Sequence, residues 1–389
     1  MQRSADRLLT THVGSLPRPD DLRELLLARD QGLPYDAELL EGRVAQAVSD
    51  VVAAQARVGI DVVADGELGK NSFTNYIRDR LSGFEGVNPN PYPGPPEAFP
   101  DYARDTARQS PFSPATRGTP PLNVGPIGWK RRDQLDADIA NLKAALSRTD
   151  VIEGFMPAVA PGQVLFTVPT TYYRSDEEYL YAVAEVLRDE YRAIVDAGLV
   201  LQVDSPDTPM MRNRQLWDVP WEDYRRHLRM RIDALNFALQ GLPPEQVRFH
   251  VCWGNFEGPH QNDVPLADIV DLVLMVDAGA YSIEGANHRH AHEWEVWQQV
   301  RLPEGKILIP GVIDTVSNFV DHPRLVAQRL VRLARIVGRE NVIAAPDCGF
   351  GTFAFRPPRV HPEVMWAKFA AMVEGARLAS AELWPGSTR

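Results

Sequence analysis

Cys252 and Cys348 are the only cysteines in 389 residues, and each stands where a metal ion could use it. Cys252 closes the run Arg248-Phe249-His250-Val251-Cys252, and Cys348 lies in Ala344-Ala345-Pro346-Asp347-Cys348-Gly349. Alternate side chains of an extended segment share a face, so His250 and Cys252 point the same way. An imidazole and a thiolate at that spacing can hold one ion. Glu284 ends the run Tyr281-Ser282-Ile283-Glu284 and adds a carboxylate. His250, Cys252, Glu284 and Cys348 then form a tetrahedral set of the kind that binds Zn²⁺. The competing reading is that both cysteines fill core space, because free cysteine is among the most buried residue types. A closed structural zinc draws on local pairs such as Cys-x-x-Cys. These candidates instead end three separate hydrophobic runs, as the members of a catalytic site do.

The elements that must position them alternate between short β-rich and longer helical runs. Eight strands are expected: Leu8 to Val13, Asp61 to Ala64, Val151 to Met156, Val200 to Val203, Val247 to Val251, Tyr281 to Ile283, Ile307 to Pro310 and Val342 to Ala345. Apolar positions three and four apart predict helices over Asp36 to Val58, Glu177 to Ala197, Trp221 to Leu239 and Pro323 to Val337. Alternation of this kind implies a parallel sheet, and eight units imply an α/β fold of the (β/α)8 TIM-barrel type. Such barrels carry their chemistry at the C-terminal strand ends. An open doubly wound sheet is the other option, but no G-x-G-x-x-G follows the first strand. We read residues 1–389 as a single barrel. Residues 83–150 form an insertion between its second and third strands. Asn88 to Pro96 is too proline-rich for helix or central strand. A β arm is expected near Leu122 to Ile127, and Tyr92, Phe99, Tyr102, Phe112 and Trp129 predict an ordered, packed arm.

Bulk properties exclude several classes. The chain is 44% hydrophobic and 24% charged, which suits a large globular core. A formal charge of −11 argues against a general nucleic-acid or anionic-membrane surface. No run approaches the length of a membrane span, and no apolar leader is evident near Met1. A reducing cytoplasmic setting, which keeps thiolates available, is the expectation.

Polar residues cluster where the strands end. The first strand leads into Thr10-Thr11-His12-Val13-Gly14-Ser15-Leu16-Pro17, the second into Asp65-Gly66-Glu67 and the fourth into Gln202-Val203-Asp204. Gly311-Val312-Ile313-Asp314-Thr315 follows another. Convergence of these groups at one barrel mouth is a site hypothesis in itself. In this order, Thr-His-Val-Gly-Ser-Leu-Pro, Asp-Gly-Glu, Gln-Val-Asp, His-Val-Cys, Ser-Ile-Glu and Pro-Asp-Cys-Gly resemble the C-terminal catalytic barrel of cobalamin-independent methionine synthase.

The resemblance implies zinc held by His250, Cys252, Glu284 and Cys348, and a methyl transferase of methionine biosynthesis. It implies a thiol substrate bound near Ser15, Glu67 and Asp204. The two acids would hold the amino group of homocysteine, and the Gly14-Ser15 segment would meet its carboxylate. The pattern departs where the family's Asp-Ile-His reads Asp314-Thr315-Val316, and where its Thr-Gly-Pro segment gives way to Phe155 to Pro161. The missing histidine is the one that the resemblance assigns to protonating a departing pterin, so the alkyl donor stays open. Single-barrel relatives include epoxyalkane:coenzyme M transferases, which add a thiol to an epoxide, and that is the alternative activity. Asp314 is a candidate proton donor and His12 a second. His288, His290 and His292 could bind a metal if extended, or line the mouth from a helix start. Lys70 and Arg78 could read an anionic thiol if they face inward. The expected partners are a small-molecule thiol and an alkyl donor, with a homo-oligomer suggested by the long arm.

Overall fold

The computed structural model describes residues 1–88, 98–106 and 120–386. Ten strands are present among them: β1 Leu9–Thr10, β2 Val62–Val63, β3 Phe84–Glu85, β4 Leu122–Asn123, β5 Glu153–Val159, β6 Val200–Asp204, β7 Val247–Val251, β8 Ala280–Ile283, β9 Ile307–Ile313 and β10 Ile343–Pro346. Eight of them pair in parallel in the order β1-β10-β9-β8-β7-β6-β5-β2. A parallel bridge between Thr11 and Val62 joins the first strand to the last of that series and closes the ring. The (β/α)8 barrel expected from the alternation is therefore the fold, and each of its eight predicted strands is found. Every residue of these strands except Glu153 and Gly154 is buried. That is why they read as short apolar runs instead of alternating ones.

The helices follow from local signals. Ala37–Val58 starts at Asp36, whose side chain accepts from Leu39 N at 3.0 Å, and stops at Gly59, with φ 94°. It buries Leu40, Val44, Val48 and Val52. Asp176–Asp196 starts at Ser175, which caps Glu178 N, and three acidic residues sit in its first turn, favourable at the positive end of a helix. Pro323–Val337 and Pro362–Leu383 pack on each other over the last strands.

The segment between β2 and β5 holds a two-stranded antiparallel ribbon, with Phe84 opposite Asn123 and Glu85 opposite Leu122. Its tail is a helix, Arg132–Leu146, packed against Ala37–Val58. Trp129 packs on the core, whereas Phe99 and Tyr102 are exposed. Tyr92, Phe112 and most of the Asn88 to Pro96 stretch lie outside the described residues. No described helix is long and apolar enough to cross a membrane.

The barrel interior carries a polar layer. Arg248 is fully buried, donates to Thr11 Oγ1 at 3.0 Å and to the His12 carbonyl, and lies 3.9 Å over the Phe155 ring. Gln202 donates to Asp204 Oδ1 at 2.7 Å and to the Val13 carbonyl. This layer forms the floor of the site.

Candidate active site

Strand register sets the site's first line. Val159 pairs with Asp204, Asp204 with His250, and His250 with Ser282, so one row crosses four adjacent strands. Cys252 lies two residues beyond His250 on the same face, and Cys348 two residues beyond the end of β10. The barrel curves these ends together. The two Sγ atoms are 3.5 Å apart, and one ligand atom from each of His250, Cys252 and Cys348 lies within 4.8 Å of the others. His250 Nδ1 contacts Ser282 Oγ at 3.2 Å, and its Nε2 is buried without a partner. Burial, then the Arg248 charge, holds the imidazole near pKa 3, so it is neutral and able to ligate. Cys348 first, then burial and Glu284, push the Cys252 thiol well above its ordinary range. Two thiols and an orphan imidazole nitrogen in one cluster are what a thiophilic divalent cation would satisfy, and such an ion would reverse the thiol shift.

Glu284 stands beside this group and outside it. Its Oε1 accepts from Trp253 N at 2.8 Å, and its Oε2 from Asn287 Nδ2 at 2.8 Å and Arg289 at 3.1 Å. Asp347, one residue before Cys348, fixes the loop that carries it. Its oxygens accept from the backbone N–H groups of Gly285, Ala286 and Asn287, each at 2.8 Å. Burial, then Glu284, raises Asp347 to about 6. Nothing in the Pro-Asp-Cys triplet signalled this brace.

Two buried carboxylates, Glu67 and Asp204, line the same pocket. Glu67 has φ 55°, in the left-handed region, and its Oε2 has no partner. Burial outweighs the nearby Lys70 and Arg18 charges and raises it to about 7. Burial, then the Glu67 charge, holds Asp204 well above the usual carboxylate range. Two buried acids in one pocket, with the Glu67 charge disfavouring ionisation of Asp204, create a place for a cation. Ser15 meets Gly349 so closely that a Cβ there would overlap its hydroxyl. The Ser15 carbonyl accepts from Phe350 N at 2.8 Å and Gly351 N at 3.2 Å, tying the strand-one loop to the Cys348 loop. Gly14, at φ 137°, leaves a Cβ only 2.8 Å from Glu67 Oε1, so the close approach requires glycine.

These groups line one pocket enclosing about 730 Å³, part of it open to solvent. Ser15, Glu67, Asp204, His250, Cys252 and Cys348 all face it. Its apolar wall includes Phe73, Phe166, Met210 and Phe353, none of which sequence spacing picked out. Arg18 was also missed. Its buried guanidinium donates to the carbonyls of Lys70, Gly351 and Glu67 and so holds three loops of the mouth together.

The remaining candidates lie elsewhere. His12 is buried between Phe155 and Phe369, at 5.1 and 6.1 Å, and does not line the pocket. Burial, then Arg248, keeps it near pKa 3. Asp314 accepts from Val316 N, Ser317 N and Ser317 Oγ, closing its own turn. Lys70 is buried and donates to the Pro157 carbonyl at 2.6 Å, and Arg78 borders a separate small cavity. The three histidines form no metal group among the described residues. His290 instead bridges Asp263 and Glu293, at 3.2 and 2.8 Å.

Fold and site together define a barrel whose chemistry-bearing groups, two thiols among them, gather at the C-terminal strand ends. Residues 8–89 and 162–371 match the family model described as the catalytic domain of cobalamin-independent synthase, and the chain belongs to that family. It is 25% identical over 379 residues to a methionine synthase of Sulfolobus acidocaldarius, covering 97% of this chain and 93% of that one. It is 26% identical over 382 residues to the 5-methyltetrahydropteroyltriglutamate–homocysteine methyltransferase of Rhodococcus jostii, where it spans 44% of the length. A solved B12-independent methionine synthase from Shewanella sp. W3-18-1, in complex with selenomethionine, superposes with a TM-score of 0.73 at 20% identity, covering 97% and 99% of the two chains. That likeness is one of fold.

Proposed function

We propose that this protein methylates homocysteine at sulfur, using Zn²⁺ held by His250, Cys252, Cys348 and Glu284. One observation carries the reading: a sulfur–imidazole cluster and a pair of cation-seeking carboxylates share a single pocket. Homocysteine has a thiol at one end and an ammonium at the other. When bound, Zn²⁺ supplies the positive charge that keeps a substrate thiol deprotonated near neutral pH.

The protein's own groups do the rest. Glu67 and Asp204 ionise fully once an ammonium lies between them, which fixes the acceptor's orientation. The Gly14-Ser15 segment, held by Phe350 and Gly351, presents itself to the acceptor carboxylate. Phe73, Phe166, Met210 and Phe353 exclude water from the path by which a methyl donor approaches sulfur. To join the cluster, Glu284 must exchange part of its contact with Asn287 and Arg289, so it is the ligand most easily released. His12 and Asp314 carry no proton in this scheme; the first supports the floor and the second a turn.

The names of the relatives support homocysteine as acceptor, and one names a methyltetrahydropteroyl donor. A sulfonate thiol such as coenzyme M fits less well. It lacks the amino group that two buried acids call for, and Lys70 is already engaged by Pro157. The test is a panel scored by product mass, with homocysteine and methyl donors set against coenzyme M and epoxypropane. Methionine is the expected product. A coenzyme M adduct with no methionine overturns the proposal.

A further inference from the structure

Glu67 and Asp204 are not the only acceptors in the pocket. Gln163 lines it, is buried, and its Oε1 has no hydrogen-bond partner. Gln55, by contrast, uses both ends of its buried amide on the Ala64 backbone, at 2.8 and 3.1 Å. A buried acceptor left unsatisfied destabilises the fold. Such a group persists where a ligand completes it.

The backbone fixes where Gln163 stands. β5 ends at Val159, the register partner of Asp204, and Ala160 N donates to the Asp204 carbonyl at 3.0 Å. The helix Pro161–Thr167 begins at that point, with Gln163 in its first turn. A Cβ on Gly162 would overlap Asp207 Oδ2, so this helix start is packed hard against the next loop. Asp207 is itself held by Ser205 at 2.8 Å and Arg231 at 3.3 Å. Gln163 therefore has little freedom beyond its own side chain, one turn from the strand that flanks Asp204.

We propose that Gln163 is a third recognition residue for the amino end of the acceptor thiol, with its Oε1 accepting one N–H of the substrate ammonium. An ammonium has three donors and no acceptor. Glu67 Oε2, an Asp204 oxygen and Gln163 Oε1 match it in number. A neutral amide suits the third place, since a third carboxylate would add to a repulsion that already raises Asp204. The assignment rests on the homocysteine reading above.

The test measures L-homocysteine binding to the zinc-loaded protein by calorimetry, in wild type and Gln163→Leu, with 4-mercaptobutanoate as the same thiol acid without the amino group. Wild type should prefer homocysteine. In Gln163→Leu the homocysteine Kd should rise at least about tenfold, as for a lost hydrogen bond to a charged group, with zinc content unchanged. Gln163→Met, unbranched and closer in shape, repeats the measurement if the leucine variant loses zinc. A homocysteine Kd that stays at the wild-type value in a zinc-replete variant overturns the role of Gln163. A wild type without preference between the two thiols instead overturns the ammonium reading itself.

Discussion

Replacing Glu67 with Gln should stabilise the protein while weakening substrate binding, and the size of the gain follows from its surroundings. Glu67 is buried, its Oε2 is unpartnered, and its pKa stands at about 7 against an ordinary 4.5. At 1.36 kcal/mol per pH unit, the ionised form is penalised by about 3 kcal/mol in the folded state. The folded chain binds this proton more tightly than the unfolded chain. Wild-type stability should therefore fall as pH rises from 4.5 to about 7, and stay low above that. Glu67→Gln removes the penalty. Its advantage should be about 3 kcal/mol at pH 8 and shrink below about 1 kcal/mol at pH 5. For a chain of this length that corresponds to roughly 4 °C in Tm at pH 8. Urea titrations of the metal-free protein at both pH values measure it. Equal differences at pH 5 and pH 8, or a less stable variant at pH 8, would refute the claim that this carboxylate is held against its charge.

Three further outcomes are expected. Metal analysis should find about one zinc per chain in wild type, and Cys252→Ser or Cys348→Ser should lose it or hold it far more weakly; full zinc in both variants contradicts the cluster. Arg80 is buried between Glu190, at 2.9 Å, and Asp138, so Arg80→Met strands two carboxylates and should cost about 3–5 kcal/mol in urea unfolding. Burial pulls His290 down, but Asp263 and Glu293 prevail and hold it at about 9. Its stabilising effect is complete below pH 6.5 and fades as pH climbs through about 9, a decline that His290→Gln should flatten.

The barrel was legible because each strand is a short apolar run buried on both faces, and because the helices carry their own start and stop signals. Asp36 and Gly59 bound one helix in sequence as they do in space. Cys252 and His250 were readable for the same local reason, a period of two. Cys348 needed the ring to close, which the count of eight alternating units implied, and Glu284 comes beside the cluster, not into it. Gln163, Phe73, Met210 and Phe353 escaped because no local pattern separates a pocket-lining residue from a core one. Asp314 shows a related ambiguity: an acid after a strand equally well closes its own turn, and here its oxygens accept from Val316 N and Ser317 N. The insertion blurred another boundary, since its proline-rich opening hid the regular helix Arg132–Leu146 at its end.

Two groups of residues in the pocket suit different partners. One group, two thiols and an imidazole, suits a soft cation. The other, two carboxylates and an amide oxygen, suits a donor that carries positive charge. Neither group can relieve the other, because the protein's nearest cations are engaged elsewhere: Lys70 by Pro157, Arg18 by three carbonyls, and Arg289 by Glu284 and Asp263. In the proposed reaction, the ligand that answers both carries sulfur and an ammonium on one chain. A thiol lacking the amino group would leave the acids buried with nothing between them, at a cost that its sulfur contact alone would have to offset. On the proposed function, specificity for an amino-acid thiol would rest mainly on what this pocket withholds from every other thiol.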